Sequence, residues 1–509
     1  MFDTQEVLRQ FGIQPIHAGA CSGPQGWSTT EDRVRIDAVN PADETVTARV
    51  AGANAVDYEK VVAAAAAMQQ SWRMVPAPRR GELVLRIGQL ATEHLEGLAA
   101  VVALDTGKSL MEARSEVKEL VDMATFAAGQ SRMLYGFTQQ SQRAKHRMYD
   151  QWLPLGVVGV ISAYNFPAAV WAQNGFLAAI GGNTVVWKPS PKVPLTALAL
   201  QHLSNIAMQE MGFEGVFTLF IPQSNELAEL LVADARVALV SFTGSTTVGR
   251  KVANVVGRTL GRRYMLECSG NNGCIVDETA DLKLAARSIT FGAVGTTGQR
   301  CTSTRRVIVH RSVEGELVEL LKKSFAQIRI GDPREPGVVV GPLVDKAAVG
   351  HFESAVRDAT ASGGQVVFGG RRIDRPGHYV EPTLITRVRP EWPCVQHETF
   401  APIVYVVAYD SIEEAIDIHN GVPQGLASGI HSTNLGNIEL FLSAAGSDCG
   451  IAKVNMGTTG ADIGAAFGGE KETGGGRTAG SDAWKGYMRR QSVCINWGGE
   501  SPWDSRLKL

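Results

Sequence analysis

Gly156-Val157-Val158-Gly159-Val160-Ile161-Ser162 is an unbroken apolar run. A strand buried on both faces has this pattern, whereas a half-exposed strand alternates. After it the period changes to helical over 168–180, then back to an apolar strand over 184–187, then to a helix over 195–211. Strands at 216–220 and 237–242 and helices at 225–233 and 247–258 continue the alternation. Strands alternating with helices at this spacing imply a parallel, doubly wound sheet with right-handed crossovers. A second series of the same kind starts near Gly270 and runs to about Ala445. The expected fold class is α/β: two doubly wound lobes with a cleft between them.

Upstream, 57–72, 78–107 and 112–130 read as helices, and 140–152 is polar and alternating, as in an exposed hairpin or arm. Residues 151–187 carry no charged side chain and are numerous enough to span a bilayer. Asn165, Pro167, Gln173, Asn174, Asn183 and the Gly181-Gly182 pair interrupt that stretch, so buried strands and a buried helix are expected there, not a membrane span. The 509 residues hold 49 Lys+Arg against 51 Asp+Glu, a net charge of −2. A nucleic-acid binder would carry a basic face, so none is expected. Seven cysteines are scattered without CxxC spacing, and no Cys/His pair has zinc-ligand spacing. Neither a disulfide framework nor a metal is expected. The acidic start, Met1-Phe2-Asp3-Thr4-Gln5-Glu6, does not read as a signal peptide, and a reducing cytoplasm is the expected location.

Three short segments carry chemistry. In Phe242-Thr243-Gly244-Ser245-Thr246-Thr247-Val248-Gly249 a strand ends, a glycine turns and hydroxyl residues start a helix, an arrangement that suits a diphosphate. It equally suits an ordinary N-capped turn, and the usual GxGxxG fingerprint is absent. Thr296-Thr297-Gly298-Gln299-Arg300-Cys301-Thr302 places a cysteine in a polar turn beside a cation, as an activated nucleophile would be, although a random cysteine is more often inert. Glu267 ends a strand as either a catalytic carboxylate or a surface one. His397 reads as a surface or supporting histidine, so a serine-hydrolase arrangement is not favoured.

Tyr164-Asn165-Phe166-Pro167, Trp187-Lys188-Pro189-Ser190, Phe242 to Ser245, Glu267 with Gly270-Asn271, Gly298 to Thr302 and Glu398-Thr399-Phe400-Ala401-Pro402 occur in one order. The set resembles the NAD(P)-dependent aldehyde dehydrogenase superfamily from about residue 30 to about residue 500. Gln299-Arg300-Cys301, Asn271-Asn272, Ser447-Asp448-Cys449-Gly450 and the run from Gly460 to Lys485 resemble its antiquitin branch, the α-aminoadipic semialdehyde dehydrogenases of lysine degradation.

This resemblance implies that Cys301 is the nucleophile, that the Asn165 amide and the Cys301 N–H hold the oxyanion, and that Glu267 is the base. It implies Lys188 and Ser190 at the adenosine ribose, Gly244, Ser245 and Gly249 near the diphosphate, Glu398 at the nicotinamide ribose and Phe400 at the ring. NAD is the expected cofactor, with NADP left open because Pro191 stands where many relatives have a glutamate. Glu119 and Arg300 would hold the amino-acid end of the substrate, Gly460 and Ala461 its carboxylate, with Phe467 beside them. Either anchor also reads as structural: Glu119 on a solvated helix face, Arg300 paired within its turn. The family architecture implies a dinucleotide domain (1–137 and 157–266), a catalytic domain (267–488) and a β arm (138–156 and 489–503) that builds a dimer or homotetramer. Three departures from the family stand out: Cys268-Ser269 where Leu-Gly is usual, Gln173 where a Trp often lines the tunnel, and a thiol at Cys268 that could pair with Cys301. Another ω-semialdehyde, or a non-catalytic dinucleotide-binding scaffold, are the competing readings.

Overall fold

A computed structural model describes residues 2–460 and 462–499; Ala461 and residues 500–503 of the expected arm lie outside the described residues. The apolar run becomes the strand Val157–Ile161, buried at every position. It lies inside a six-stranded sheet ordered Arg263–Glu267, Val237–Thr243, Val157–Ile161, Thr184–Lys188, Phe217–Phe220, Ala20–Cys21. The first five strands run parallel, and the short Ala20–Cys21 strand closes the edge antiparallel. Chain order reverses on either side of Val157–Ile161. Such a reversal leaves a crevice at the carboxyl ends of the strands, the usual ligand position in open α/β sheets.

The second series forms a seven-stranded sheet, ordered Gln365–Phe368, Thr383–Thr386, Ile403–Tyr409, Thr304–His310, Asn272–Val276, Ala427–His431, Ile451–Val454. All its pairs are parallel except the first. The expected arm is an antiparallel pair: Met488–Asn496 runs along His146–Pro154 over nine residue pairs, with Thr138–Gln140 on the other side. Among the described residues no helix is long and apolar enough to cross a membrane.

One expected helix is wrong. The stretch 78–107 is two helices, Ala77–Glu93 and Leu95–Thr106, separated at His94. The first buries one face, whereas every residue of the second from Gly97 to Thr106 is buried. A break between a one-sided and an all-round buried helix needs no proline or glycine, so the sequence carries no punctuation for it. The second helix stops at Gly107, whose φ of 76° and Pro342 contact exclude a side chain.

Behind the cleft the helix Leu110–Gln130 carries Glu116, fully buried and ion-paired to the equally buried Lys108. The other Glu116 oxygen, Oε1, accepts the backbone N–H groups of Ala168 (2.8 Å) and Ala169 (3.3 Å). That carboxylate therefore caps the helix Ala169–Ile180, whose own N-cap residue, Ala168, has no side-chain acceptor. Lys108 Nζ also lies 3.4 Å from the Phe166 ring centroid. Removing one partner of a buried pair strands the other charge, at about 3–5 kcal/mol. Lys108→Ala should lower the stability measured by urea unfolding by that amount.

Candidate active site

The two sheets meet end to end. Carboxyl ends of four neighbouring strands of the first sheet deliver Asn165, Lys188 with Ser190, Gly244 with Ser245, and Glu267. Amino ends of three strands of the second deliver Gly270, Cys301, and Glu398 with Phe400. All of these except Gly270 line one cleft of about 610 Å³, together with Glu119, Gln173, Arg300, Gly460 and Phe467. Gly249 does not. It sits inside the helix Thr246–Val256, where an added Cβ would lie 2.4 Å from Cys268 Sγ, so its role is to let that helix pack on Cys268.

Cys301 follows a turn in which Thr296, Thr297 and Gly298 all have positive φ, at 51°, 56° and 71°. Two β-branched residues in that region are strained and must be held. Glu112 Oε1 accepts the Thr296 N–H at 2.7 Å, and Thr297 Oγ1 donates to the Gly341 carbonyl at 3.0 Å. Asn272 Nδ2 donates to the carbonyls of Cys301 and Ser303, both at 2.8 Å. Arg305, buried, donates to the Thr399 carbonyl (2.7 Å), the Arg300 carbonyl (3.0 Å) and Glu398 Oε1 (3.2 Å), tying the cysteine turn to the Glu398 loop.

The Cys301 thiol faces the Glu267 carboxylate, whose Oε1 is buried without a hydrogen-bond partner. Burial pushes Glu267 up to about 8, with a smaller push from Glu398. Burial and then the two carboxylates raise the thiol well above its ordinary value. The expectation that Arg300 favours the thiolate is therefore corrected. Its guanidinium turns away, with Nη2 2.9 Å from Glu112 Oε1 and Nε 3.1 Å from Thr296 Oγ1, so the groups facing the thiol are acidic.

On the cofactor side, Ser245 caps the helix Thr246–Val256, its Oγ accepting from Val248 N at 3.4 Å. The first amides of that helix have no intrahelical partner and remain for an anion. Burial brings Lys188 down to about 8. Glu398 is held by Gly270 N (3.1 Å) and by Arg305 (3.2 Å). Lys192 and Asp345 form an ion pair across the cleft, 2.5 Å long. The free helix amides, Lys188 and Ser190 in the same cleft, and a held Glu398 fit a dinucleotide.

On the substrate side, Glu119 Oε1 accepts from Gln173 Nε2 at 2.9 Å, and burial raises its carboxyl to about 7. Glu119 is thus a cleft residue and not one on a solvated face. Arg300 both lines the cleft and pairs within its turn. All seven cysteines are free thiols, and Cys268 is pushed up to about 12, chiefly by burial. His397 is exposed, with Nδ1 on the Pro393 carbonyl at 2.8 Å. Glu112, Glu116, Lys108 and Arg305 are missing from the sequence reading, because a charged residue in a helix or strand looks alike whether it is solvated or buried in support of a turn.

The Aldehyde dehydrogenase family profile matches residues 27–493. The chain belongs to the aldehyde dehydrogenase family. It is 44% identical over 502 residues to the mouse protein named alpha-aminoadipic semialdehyde dehydrogenase, covering 99% of this chain and 92% of that one. It is 42% identical over 495 residues to the pea aldehyde dehydrogenase family 7 member A1, covering 97% and 96%. Among solved structures, lactaldehyde dehydrogenase from Escherichia coli superposes with a TM-score of 0.90 at 29% identity, covering 95% of this chain and 100% of that one. This aldehyde dehydrogenase is an NAD(P)-using enzyme.

A thiol held neutral by burial and by acidic neighbours reacts slowly. Iodoacetamide alkylation of Cys301, followed by peptide mass mapping, should accelerate as pH rises from 7 to about 8 and less steeply above it, where the ionised Glu267 opposes the thiolate. Glu267→Gln should raise the rate at pH 9, where the wild-type carboxylate opposes the thiolate.

Proposed function

We propose that the protein oxidises an amino-acid semialdehyde, α-aminoadipic semialdehyde in the first place, to its carboxylic acid. The observation that carries the chemistry is the Cys301 thiol against Glu267, with Asn165 in the same cleft. The 42–44% identity to the mouse, rat and cattle proteins named for that substrate supports the choice of aldehyde. Cys301 Sγ bonds to the aldehyde carbon as its proton passes to Glu267, and the oxyanion that forms accepts from the Asn165 amide and the Cys301 N–H. One such donor is worth about 3 kcal/mol in related oxyanion holes. When bound, NAD(P) supplies the hydride acceptor for the oxidation. Once it has released the Cys301 proton to solvent, Glu267 takes a proton from the water that hydrolyses the Cys301 thioester. Lys188 and Ser190 hold the adenosine ribose, the amides after Ser245 the diphosphate, and Glu398 with Phe400 the nicotinamide end. We take NAD to be the preferred form, and the Met488–Asn496 arm to join subunits in a dimer or tetramer of a cytoplasmic enzyme. The division into dinucleotide, catalytic and arm parts given above follows the same reading.

A second reading, oxidation of another ω-semialdehyde, is favoured by one pair of contacts. Glu119 is engaged by Gln173 and Arg300 by Glu112, so both amino-acid anchors already have partners. The intact set of Cys301, Glu267 and Asn165 argues against a non-catalytic scaffold.

Glu267 protonates as pH falls through about 8, so base catalysis should grow with pH up to that value and level above it. Steady-state rates from pH 6 to 9 should show this limb. Glu267→Gln should abolish it and slow thioester hydrolysis by about 10²–10⁴-fold, with a smaller effect on the NADH burst. Comparing aminoadipic, glutamic and succinic semialdehydes tests the substrate: kcat/KM should be highest for the first. Arg300→Ala should remove that preference, and a wild-type enzyme indifferent to the amino-acid end would favour the second reading.

A further inference from the structure

Away from the cleft, a ring nitrogen of His419, a carboxylate oxygen of Asp448 and Sγ of Cys449 all lie within 4.8 Å of one another. None of the three lines the catalytic cleft, and aldehyde oxidation has no use for them.

The state of the His419 ring follows from its neighbours. Asn420 Nδ2 donates to the Gly446 carbonyl at 2.8 Å, which fixes the amide so that Oδ1 is the acceptor. Oδ1 takes the Asp448 N–H at 3.2 Å and faces His419 Nδ1 at 2.9 Å. The proton therefore sits on Nδ1, and Nε2 carries the lone pair. The side chain is 1% exposed, and Nε2 has no hydrogen-bond partner. Burial brings the ring down to about 3, so it stays neutral. A neutral imidazole whose other nitrogen donates to a fixed acceptor is how a ligating histidine is oriented. Gly273 leaves the space: an added Cβ there would lie 2.8 Å from His419 Cδ2.

Asp448 divides its two oxygens. Oδ2 is held by Lys471 at 2.6 Å, while Oδ1 faces Cys449 Sγ at 4.0 Å. Lys471 also donates to the Asn420 and Val422 carbonyls, so it is anchored whatever Oδ1 does. Lys471 and the buried Arg306 oppose an added cation, and the Asp448 carboxylate with a Cys449 thiolate offsets them charge for charge. We propose that a ring nitrogen of His419, a carboxylate oxygen of Asp448 and Cys449 Sγ form a binding site for one zinc-class divalent cation, with water as the fourth ligand. The N, O, S donor set matches zinc and excludes magnesium and calcium. Tetrahedral zinc holds such donors about 3.5 Å apart, so binding draws the three side chains together from separations of up to 4.8 Å. On binding, the Cys449 S–H proton is released to solvent and no electrons move. The ion braces the 447–450 turn against the end of the helix Ile412–Asn420.

The test is Zn(II) titration against a chromogenic chelator, in metal-stripped Cys301→Ala enzyme so that the catalytic thiol cannot contribute. One zinc per chain is expected. Binding should weaken at least tenfold in the added variants His419→Gln and Cys449→Ser, and about 10–100-fold in Asn420→Ala, which removes the acceptor behind the imidazole. In the otherwise unaltered enzyme, saturating Zn(II) should slow Cys449 alkylation at least tenfold while leaving the exposed Cys494 unaffected, a readout that does not depend on the variants folding. No retained zinc, undiminished binding in folded His419→Gln, or Cys449 alkylation indifferent to Zn(II) would each overturn the site.

Discussion

A carboxyl and a thiol, Glu267 and Cys301, share a buried cleft in which water cannot support two negative charges. Burial raises both, and each charge would raise the other. Below about pH 8 the resting pair therefore keeps both protons, and once Glu267 has lost its own it can take the Cys301 proton. The rest of the site can be understood as serving that constraint. In the proposed mechanism Asn165 and the Cys301 amide take the charge that appears on substrate oxygen, and Glu398 is held by Arg305 and Gly270.

Holding two buried acids in register requires rigid backbone, and the structure meets that need with buried polar side chains. Glu112 fixes the strained Thr296–Gly298 turn, Asn272 fixes the Cys301 carbonyl, and Glu116 caps the helix that begins behind Asn165. Each of these side chains serves backbone atoms directly, which explains why a charged or amide group is tolerated in the interior. The same scaffold takes the Arg300 guanidinium for Glu112. On the proposed reading, substrate is recognised by an arginine and a glutamate that already have partners.

The alternation of strand and helix from Val157 to Thr243 was legible because a fully buried parallel strand has no polar face to disguise it. Ordered motifs supplied Cys301, Glu267, Asn165, Lys188, Ser190, Glu398 and Phe400, and the structure brings all of them to one cleft. The motif at Gly249 misled: a glycine near a phosphate loop and a glycine under a packed sulfur are the same letter. The break at His94 was invisible for a related reason, since both flanking segments have helical spacing and only their surroundings differ.

By itself the sequence determined the fold class, the family, and which residue types sit at each strand end, since these follow from local periodicity and short motifs. Tertiary structure alone decided that carboxyl ends of one sheet face amino ends of the other, which is what brings Cys301 to Glu267. It also decided the protonation of that pair, the self-pairing of Arg300 and Glu119, and the meeting of His419 with Asp448 and Cys449. These are properties of burial and of contacts between residues far apart in the chain. No run of neighbouring letters encodes the dielectric that a side chain will meet.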